Sequence, residues 1–274
     1  MSVLKDILYG LISGFSEFLP VSSLAHQSLL MRLFGWDSRE PVRDLAVHMA
    51  MLLALLTCCG SSISRLSRER RLSARRRRGK TDMTKDTYDL RLVRNAAVPL
   101  ALGLLFYLKT ASFEQSLLWI SLFFCINGII MILPDHMHGS NKDSRAMSSI
   151  DSLPIGVFGA LSVFPGVSRV GTMSAYASIR GAGKQHALNW ALLLSLPALI
   201  LLCGIDIVNL FSYSGRIISL IAIIGYILSA LFAYIGSYLS IVLIRFLIVR
   251  TGYSSFAYYS WGAALFSMIL YLIT

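Results

Sequence analysis

Gly14-Phe15-Ser16-Glu17-Phe18-Leu19-Pro20-Val21-Ser22-Ser23-Leu24-Ala25-His26 sets a carboxylate, two adjacent hydroxyls and an imidazole around a proline, with apolar sequence on both sides. Polar groups at membrane depth cost several kcal/mol unless they are satisfied or used. A second stretch has the same layout: Gly159-Ala160-Leu161-Ser162-Val163-Phe164-Pro165-Gly166-Val167-Ser168-Arg169-Val170-Gly171. One offset carries Gly14 onto Gly159, Pro20 onto Pro165 and Ser23 onto Ser168. The repetition predicts that the two turns meet and form one site.

The surrounding composition says what kind of chain this is. Of 274 residues, 55% are hydrophobic and 14% charged; mean hydropathy is +0.66. A soluble domain carries about 25% charged residues. These values point to a polytopic helical membrane protein folded as a single membrane domain over 1–274. The first residues carry Lys5 and Asp6 with no small-residue cleavage pattern, so no removable signal peptide is expected. Cys58, Cys59, Cys125 and Cys203 lie in apolar runs and read as packing residues, not as disulfide or zinc ligands.

The net charge of +11 is local. Residues 61–94 hold twelve Arg and Lys against four acids, +8 of the total. No aromatic residue interleaves the basic run, so nucleic acid is not the expected partner. The segment reads as a basic cytoplasmic loop obeying the positive-inside rule and touching anionic lipid.

Six stretches are long and apolar enough to span: 43–59, 95–111, 117–133, 187–205, 217–238 and 256–273, the fifth continuing toward Arg250. Two others, 3–35 and 153–181, are each broken by the Pro turn into halves too short to cross, because a span needs about 20 residues. Each reads as a re-entrant helix pair, which is tolerated at depth only where protein or a cavity surrounds it. Repeat one (1–133) and repeat two (153–274) then each hold one re-entrant pair and three spans. An odd number of spans sets the halves in opposite orientation, the inverted-topology arrangement whose site lies near the midplane.

The chemistry of the turns stays open at this level. On a helix starting near Ser22, His26 falls i+4 from Ser22 and i+3 from Ser23, within reach of either hydroxyl. That pairing is the minimum for an activated nucleophile, and His26 is equally an attacking group or a general acid. Glu17 suits a base or a metal ligand. Arg169 supplies a planar cation suited to phosphate, and helix starts after Pro20 and Pro165 add backbone N–H groups for an anion. Against these stand structural readings. Ser22, Ser168, Thr172 and Ser174 are residue types that bond backbone or cross-helix partners in membranes. Glu17 and Arg169 can pair with each other, and His48 suits helix packing as well as a site.

These residues carry a resemblance. Glu17-Phe18-Leu19-Pro20-Val21-Ser22-Ser23 followed by His26 resembles the first signature of the undecaprenyl-pyrophosphate phosphatase family of the bacitracin-resistance type. Pro165-Gly166-Val167-Ser168-Arg169 followed by Gly171 resembles its second, and Val47-His48-Met49 resembles the start of its third span. The resemblance implies a membrane hydrolase converting the C55 isoprenyl diphosphate to the monophosphate, recycling the cell-wall lipid carrier. It implies a multi-pass protein of the bacterial cytoplasmic membrane with its site facing the outer leaflet, and a divalent metal, Mg²⁺ or Ca²⁺. By resemblance the catalytic residues are Glu17, Ser23, His26 and Arg169. Ser22, Ser168, Arg169, Gly171 and Thr172 are expected to bind substrate, and Glu17 to hold metal. A homodimer is a further expectation.

The sequence departs from the family at three places. Ser13 stands where a second glutamate, one helical turn before Glu17, is expected; Leu24-Ala25 replace Thr-Gly; Val170 replaces Ser. Asp6 lies roughly 16 Å along a helix from Glu17 and cannot substitute. The metal seat is thus halved. A transporter or flippase of polyprenyl phosphate using the same anion site, or a non-catalytic paralogue, are the alternative readings. The other family of membrane lipid phosphatases is excluded, because Ala175 and Ile179 stand where its His and Asp are required.

Overall fold

The computed structural model describes residues 3–36, 40–77, 88–137, 147–212 and 219–273. The described residues form twelve α-helices: α1 Val3–Glu17, α2 Ser23–Leu33, α3 Pro41–Cys58, α4 Gly60–Arg77, α5 Tyr88–Leu104, the single turn α6 Ala111–Glu114, α7 Leu117–His136, α8 Ser149–Ala160, α9 Arg169–Ile179, α10 Lys184–Ser212, α11 Leu220–Arg250 and α12 Ser254–Ile273. Among the described residues six stretches are long and apolar enough to span: Pro41–Cys58, Asp89–Tyr107, Leu117–His136, Lys184–Phe211, Leu220–Arg250 and Ser254–Ile273. They coincide with the six predicted ones. The fifth does continue to Arg250, and its 31 residues make it roughly 46 Å long, well beyond the hydrocarbon.

The predicted breaks are also present. α1, α2, α8 and α9 have 15, 11, 12 and 11 residues, each too short to cross. α1 lies along α11 and α8 along α5; α3 contacts α10, and α7 contacts α12. Small residues make the closest approaches. A Cβ on Gly10 or Gly14 would fall onto the carbonyls of Ser229 and Ala233 of α11. A Cβ on Gly156 would fall onto the Ala96 carbonyl of α5. Lipid tails are as apolar as leucine, so close backbone contact and not water exclusion holds such helices together.

Buried polar ties fix the register. Arg43 of α3 reaches Asp6 of α1 at 3.4 Å and lies 4.0 Å over the Tyr9 ring, while the Tyr9 hydroxyl donates to Asp44 at 2.7 Å. At the far end of α7, Asp135 accepts from Lys184 Nζ at 2.6 Å and from the Ser254 backbone N–H at 2.7 Å, joining α10 and α12.

The reading of 61–94 as a loop is corrected by the structure. Residues 60–77 are helical, and only 78–87 lie outside the described residues. Arginine is a good helix former, and Ile63 and Leu66 pack this helix against the core. Arg65 pairs with Asp89 at 2.9 Å, and Glu69 accepts from the Leu90 N–H at 2.8 Å. Burial holds the Glu69 carboxyl above its ordinary range. Between the two halves, α7 continues to His136 and α8 begins at Ser149, with 138–146 outside the described residues.

Candidate functional site

The two broken segments do meet. α1 ends at Glu17, Pro20 interrupts, and α2 starts at Ser23; α8 ends at Ala160, a 3-10 turn Leu161–Val163 follows, and α9 starts at Arg169. The chain reverses sharply at two places. Ser22 has φ 67°, a left-handed conformation uncommon for a non-glycine residue, and Gly166 has φ 122°. Each reversal is held by the opposite turn. The Gly166 N–H donates to Ser22 Oγ at 3.0 Å, and Ser168 Oγ donates to the Leu19 carbonyl at 3.0 Å. Ser168 Oγ also accepts from the Gly171 N–H at 3.1 Å, capping α9.

Asn127 of α7 stands between the turns. Its Nδ2 donates to the Pro20 carbonyl at 3.0 Å and to Ser260 Oγ at 2.9 Å, and its Oδ1 accepts from the Ser168 N–H at 3.0 Å. It is fully buried. Sequence reasoning missed it. The available signal was a lone amide in the apolar run of 117–133, a placement that a membrane helix rarely tolerates without partners.

Glu17 and Arg169, one from each turn, form a buried ion pair through Oε1 and Nη2. Arg169 Nε is buried as well and makes no hydrogen bond among the described residues. The pair closes a cavity of 40 Å³ lined by Glu17, Ser22, Ser23, Gln27, His48, Ser162, Ser168 and Arg169, with Leu24, Leu104, Tyr107, Val167 and Leu202 as its apolar walls. That volume admits a water or two.

Five predicted site residues, Glu17, Ser22, Ser23, Ser168 and Arg169, therefore share one cavity. Three others do not line it. Gly171 contributes its N–H to Ser168 and lets the turns touch, since a Cβ there would sit 2.9 Å from Pro20 Cβ. Thr172 Oγ1 donates to backbone carbonyls, Ser168 at 2.8 Å and Phe158 at 2.8 Å, and is fully buried. His26 bonds the backbone carbonyl of Ser22 at 2.7 Å, and neither hydroxyl that its spacing allowed. A carbonyl only accepts, so Nδ1 carries the proton, and Nε2 accepts from the Tyr259 hydroxyl at 2.7 Å. The ring thus stabilises the left-handed turn at Ser22 and faces α12.

Ser13, where the resemblance implies a second glutamate, is buried, and its hydroxyl has no partner among the described residues; its carbonyl accepts from Ser23 Oγ at 3.1 Å. Gln27 Nε2 donates to Ser23 Oγ at 3.3 Å. Sequence reasoning did not place Gln27 in the site, and it left His48 undecided between packing and site. His48 lines the cavity, with Nδ1 2.6 Å from Asp206 Oδ2.

The arrangement can bind an anion. It offers a guanidinium with an unused N–H, two helix starts and a row of hydroxyls, in surroundings dry enough to strengthen each interaction.

Comparison with known proteins bears on this geometry. A family model described as bacitracin resistance protein BacA matches residues 6–266. A Campylobacter concisus protein named undecaprenyl-diphosphatase is 32% identical over 211 residues, 77% of this chain and 78% of its own. Proteins of the same name from Thermosipho melanesiensis and Methanobrevibacter smithii are 30% and 31% identical, covering 76% and 73% of this chain and 80% and 74% of theirs.

Proposed function

This chain belongs to the bacitracin resistance protein BacA family, and we propose that it is a membrane undecaprenyl-diphosphatase, hydrolysing the C55 polyprenyl diphosphate to the monophosphate. The observation that carries this reading is the Glu17–Arg169 pair closing a hydroxyl-lined cavity between two broken helices. The terminal phosphate takes the place of Glu17 on Arg169, where two guanidinium N–H groups grip it. The α2 and α9 N-termini add partial positive charge where negative charge accumulates in phosphoryl transfer. Ser23, in the cavity wall, supplies the attacking hydroxyl; both nitrogens of His26 are engaged elsewhere. Released from Arg169, Glu17 serves as a base or as a metal ligand.

A divalent ion, Mg²⁺ or Ca²⁺, belongs to this reading by family. Among the described residues no three His, Cys, Asp or Glu side chains converge on a metal seat. The donor set fits an ion held by Glu17 together with the substrate's own phosphate oxygens, the mode that Mg²⁺ favours. Such an ion, when bound, neutralises charge on the diphosphate.

The remaining parts of the reading concern the membrane. The two Pro-broken segments are re-entrant pairs of inverted repeats, supported by the matched packing of α1 on α11 and α8 on α5. The chain lies in the bacterial cytoplasmic membrane, with α4 on the cytoplasmic side by its charge, the site open to the outer leaflet, and two copies associating.

The test is phosphate release from C55 and C15 diphosphates by the purified protein, with and without Mg²⁺ or Ca²⁺. Release that is abolished by Arg169→Ala supports the reading. A well-folded protein that binds these lipids and releases no phosphate sinks it.

A further inference from the structure

Hydrolysis of a diphosphate needs a group that takes a proton from the attacking hydroxyl and returns it to the departing oxygen. His26, the imidazole within the signature itself, has both ring nitrogens bonded outside the cavity. His48 is the one histidine among the described residues that lines the cavity, beside Glu17, Ser23 and Arg169. Its Nδ1 lies 2.6 Å from Asp206 Oδ2, with both side chains at most 10% exposed. A carboxylate accepts, so Nδ1–H points to Asp206 and Nε2 is left as the basic nitrogen. Among the described residues no other hydrogen bond engages the ring. The two residues come from α3 and α10, which pack against each other. The charged and titratable groups around the ring are Asp206 from α10, Glu17 from α1, Arg169 from α9 and Asp44 on its own helix.

We propose that His48 is the proton-transfer residue of this site and that Asp206 is its positioning residue, fixing the tautomer that leaves Nε2 basic. This rests on the diphosphatase reading above. Ser23 gives up its hydrogen bond to the Ser13 carbonyl, and its proton passes to His48 Nε2 as Oγ bonds the terminal phosphorus. The bridging P–O bond breaks, its electron pair leaves with the lipid monophosphate, and that oxygen takes the proton from Nε2. Water then attacks the serine-bound phosphorus, gives one proton to Nε2, and orthophosphate leaves. The proton on Nε2 returns to Ser23 Oγ. Asp206 holds the ring by the same tautomer logic that a buried aspartate serves in hydrolytic triads.

The test compares wild type with His48→Gln, which keeps a donor toward Asp206, and with Asp206→Asn and Asp206→Glu. Steady-state rates on C15 diphosphate across pH are paired with binding of a non-hydrolysable methylene-bridged analogue. His48→Gln is expected to lower kcat by about 10²- to 10⁴-fold, to leave analogue affinity within about threefold, and to remove one limb of the pH–rate profile. Asp206→Asn is expected to lower kcat comparably and Asp206→Glu to recover part of it. Retained kcat with an unchanged profile in His48→Gln overturns the proposal. If His48→Gln fails to bind the analogue, Asp206→Asn decides, and wild-type kcat there overturns it. An inactive wild-type protein instead sinks the diphosphatase reading, so the two failures are distinguishable.

Discussion

Replacing Asn127 by leucine keeps the number and branching of the side-chain heavy atoms and removes three hydrogen bonds at once, to the Pro20 carbonyl, the Ser168 N–H and Ser260 Oγ. All three partners sit around a residue with no solvent exposure, so water cannot replace the amide. Side-chain hydrogen bonds inside membrane proteins average about 0.6 kcal/mol, while a buried group left without a partner costs about 1–3 kcal/mol. For the set, the expected loss is about 2–5 kcal/mol. The damage concentrates on the two turns, because Pro20 and Ser168 belong to opposite ones. Activity should therefore fall more than stability alone accounts for, by about tenfold or more in kcat at a temperature where the variant is still folded. Asn127→Asp sharpens the test. It keeps an acceptor for the Ser168 N–H but turns an oxygen toward the Pro20 carbonyl, so it should do no better than leucine. The assay is thermal unfolding in detergent beside phosphate release from a C15 diphosphate. A leucine variant that melts with wild type and turns over at the wild-type rate would refute the claim that Asn127 holds the turns together.

Three further outcomes follow from the same geometry. Glu17→Gln frees Arg169 from its ion pair, so a methylene-bridged diphosphate analogue should bind about tenfold more tightly while turnover drops; equal or weaker binding, measured calorimetrically, contradicts the competition. Gly14→Ala drives a methyl into the Ala233 carbonyl and pushes α1 off α11, where Ser237 Oγ also donates to the Gly14 carbonyl at 3.3 Å. It should cost about 1–3 kcal/mol of stability, read as a lowered midpoint in denaturant, and an unshifted midpoint speaks against close packing there. Ser13→Glu restores the carboxylate one turn before Glu17; it should make activity or thermal stability more dependent on added Mg²⁺ or Ca²⁺, and identical metal titrations for variant and wild type rule out a two-carboxylate seat at this position.

How much of this was legible beforehand differs by scale. Span positions followed from hydropathy, because a bilayer sets one length and one solvent for every span. The helix breaks followed from Pro20 and Pro165 together with the polar or glycine residues beside them, Ser22-Ser23 and Gly166; proline alone does not decide, since Pro99 and Pro197 stand inside α5 and α10. The 60–77 helix was missed, since charge says where a segment sits relative to the membrane but not whether its backbone coils. His26 shows the limit of spacing arguments. Its i+4 relation to Ser22 was right, but the bond goes to the carbonyl, exposed to the ring by a left-handed φ that no residue pattern announced.

The sequence by itself determined a six-span helical membrane protein and a pair of polar Pro turns, along with the identities of Glu17 and Arg169, because composition, period and chain-breaking residues act locally. Only the tertiary structure decided what those turns face. Asn127, Gln27, His48 and Asp206 reach the site or its rim from α7, α2, α3 and α10. His48 and Asp206 lie far apart in sequence and meet only because α3 packs against α10. Which imidazole looks into the cavity is a matter of side-chain direction across helices, and no linear spacing encodes it.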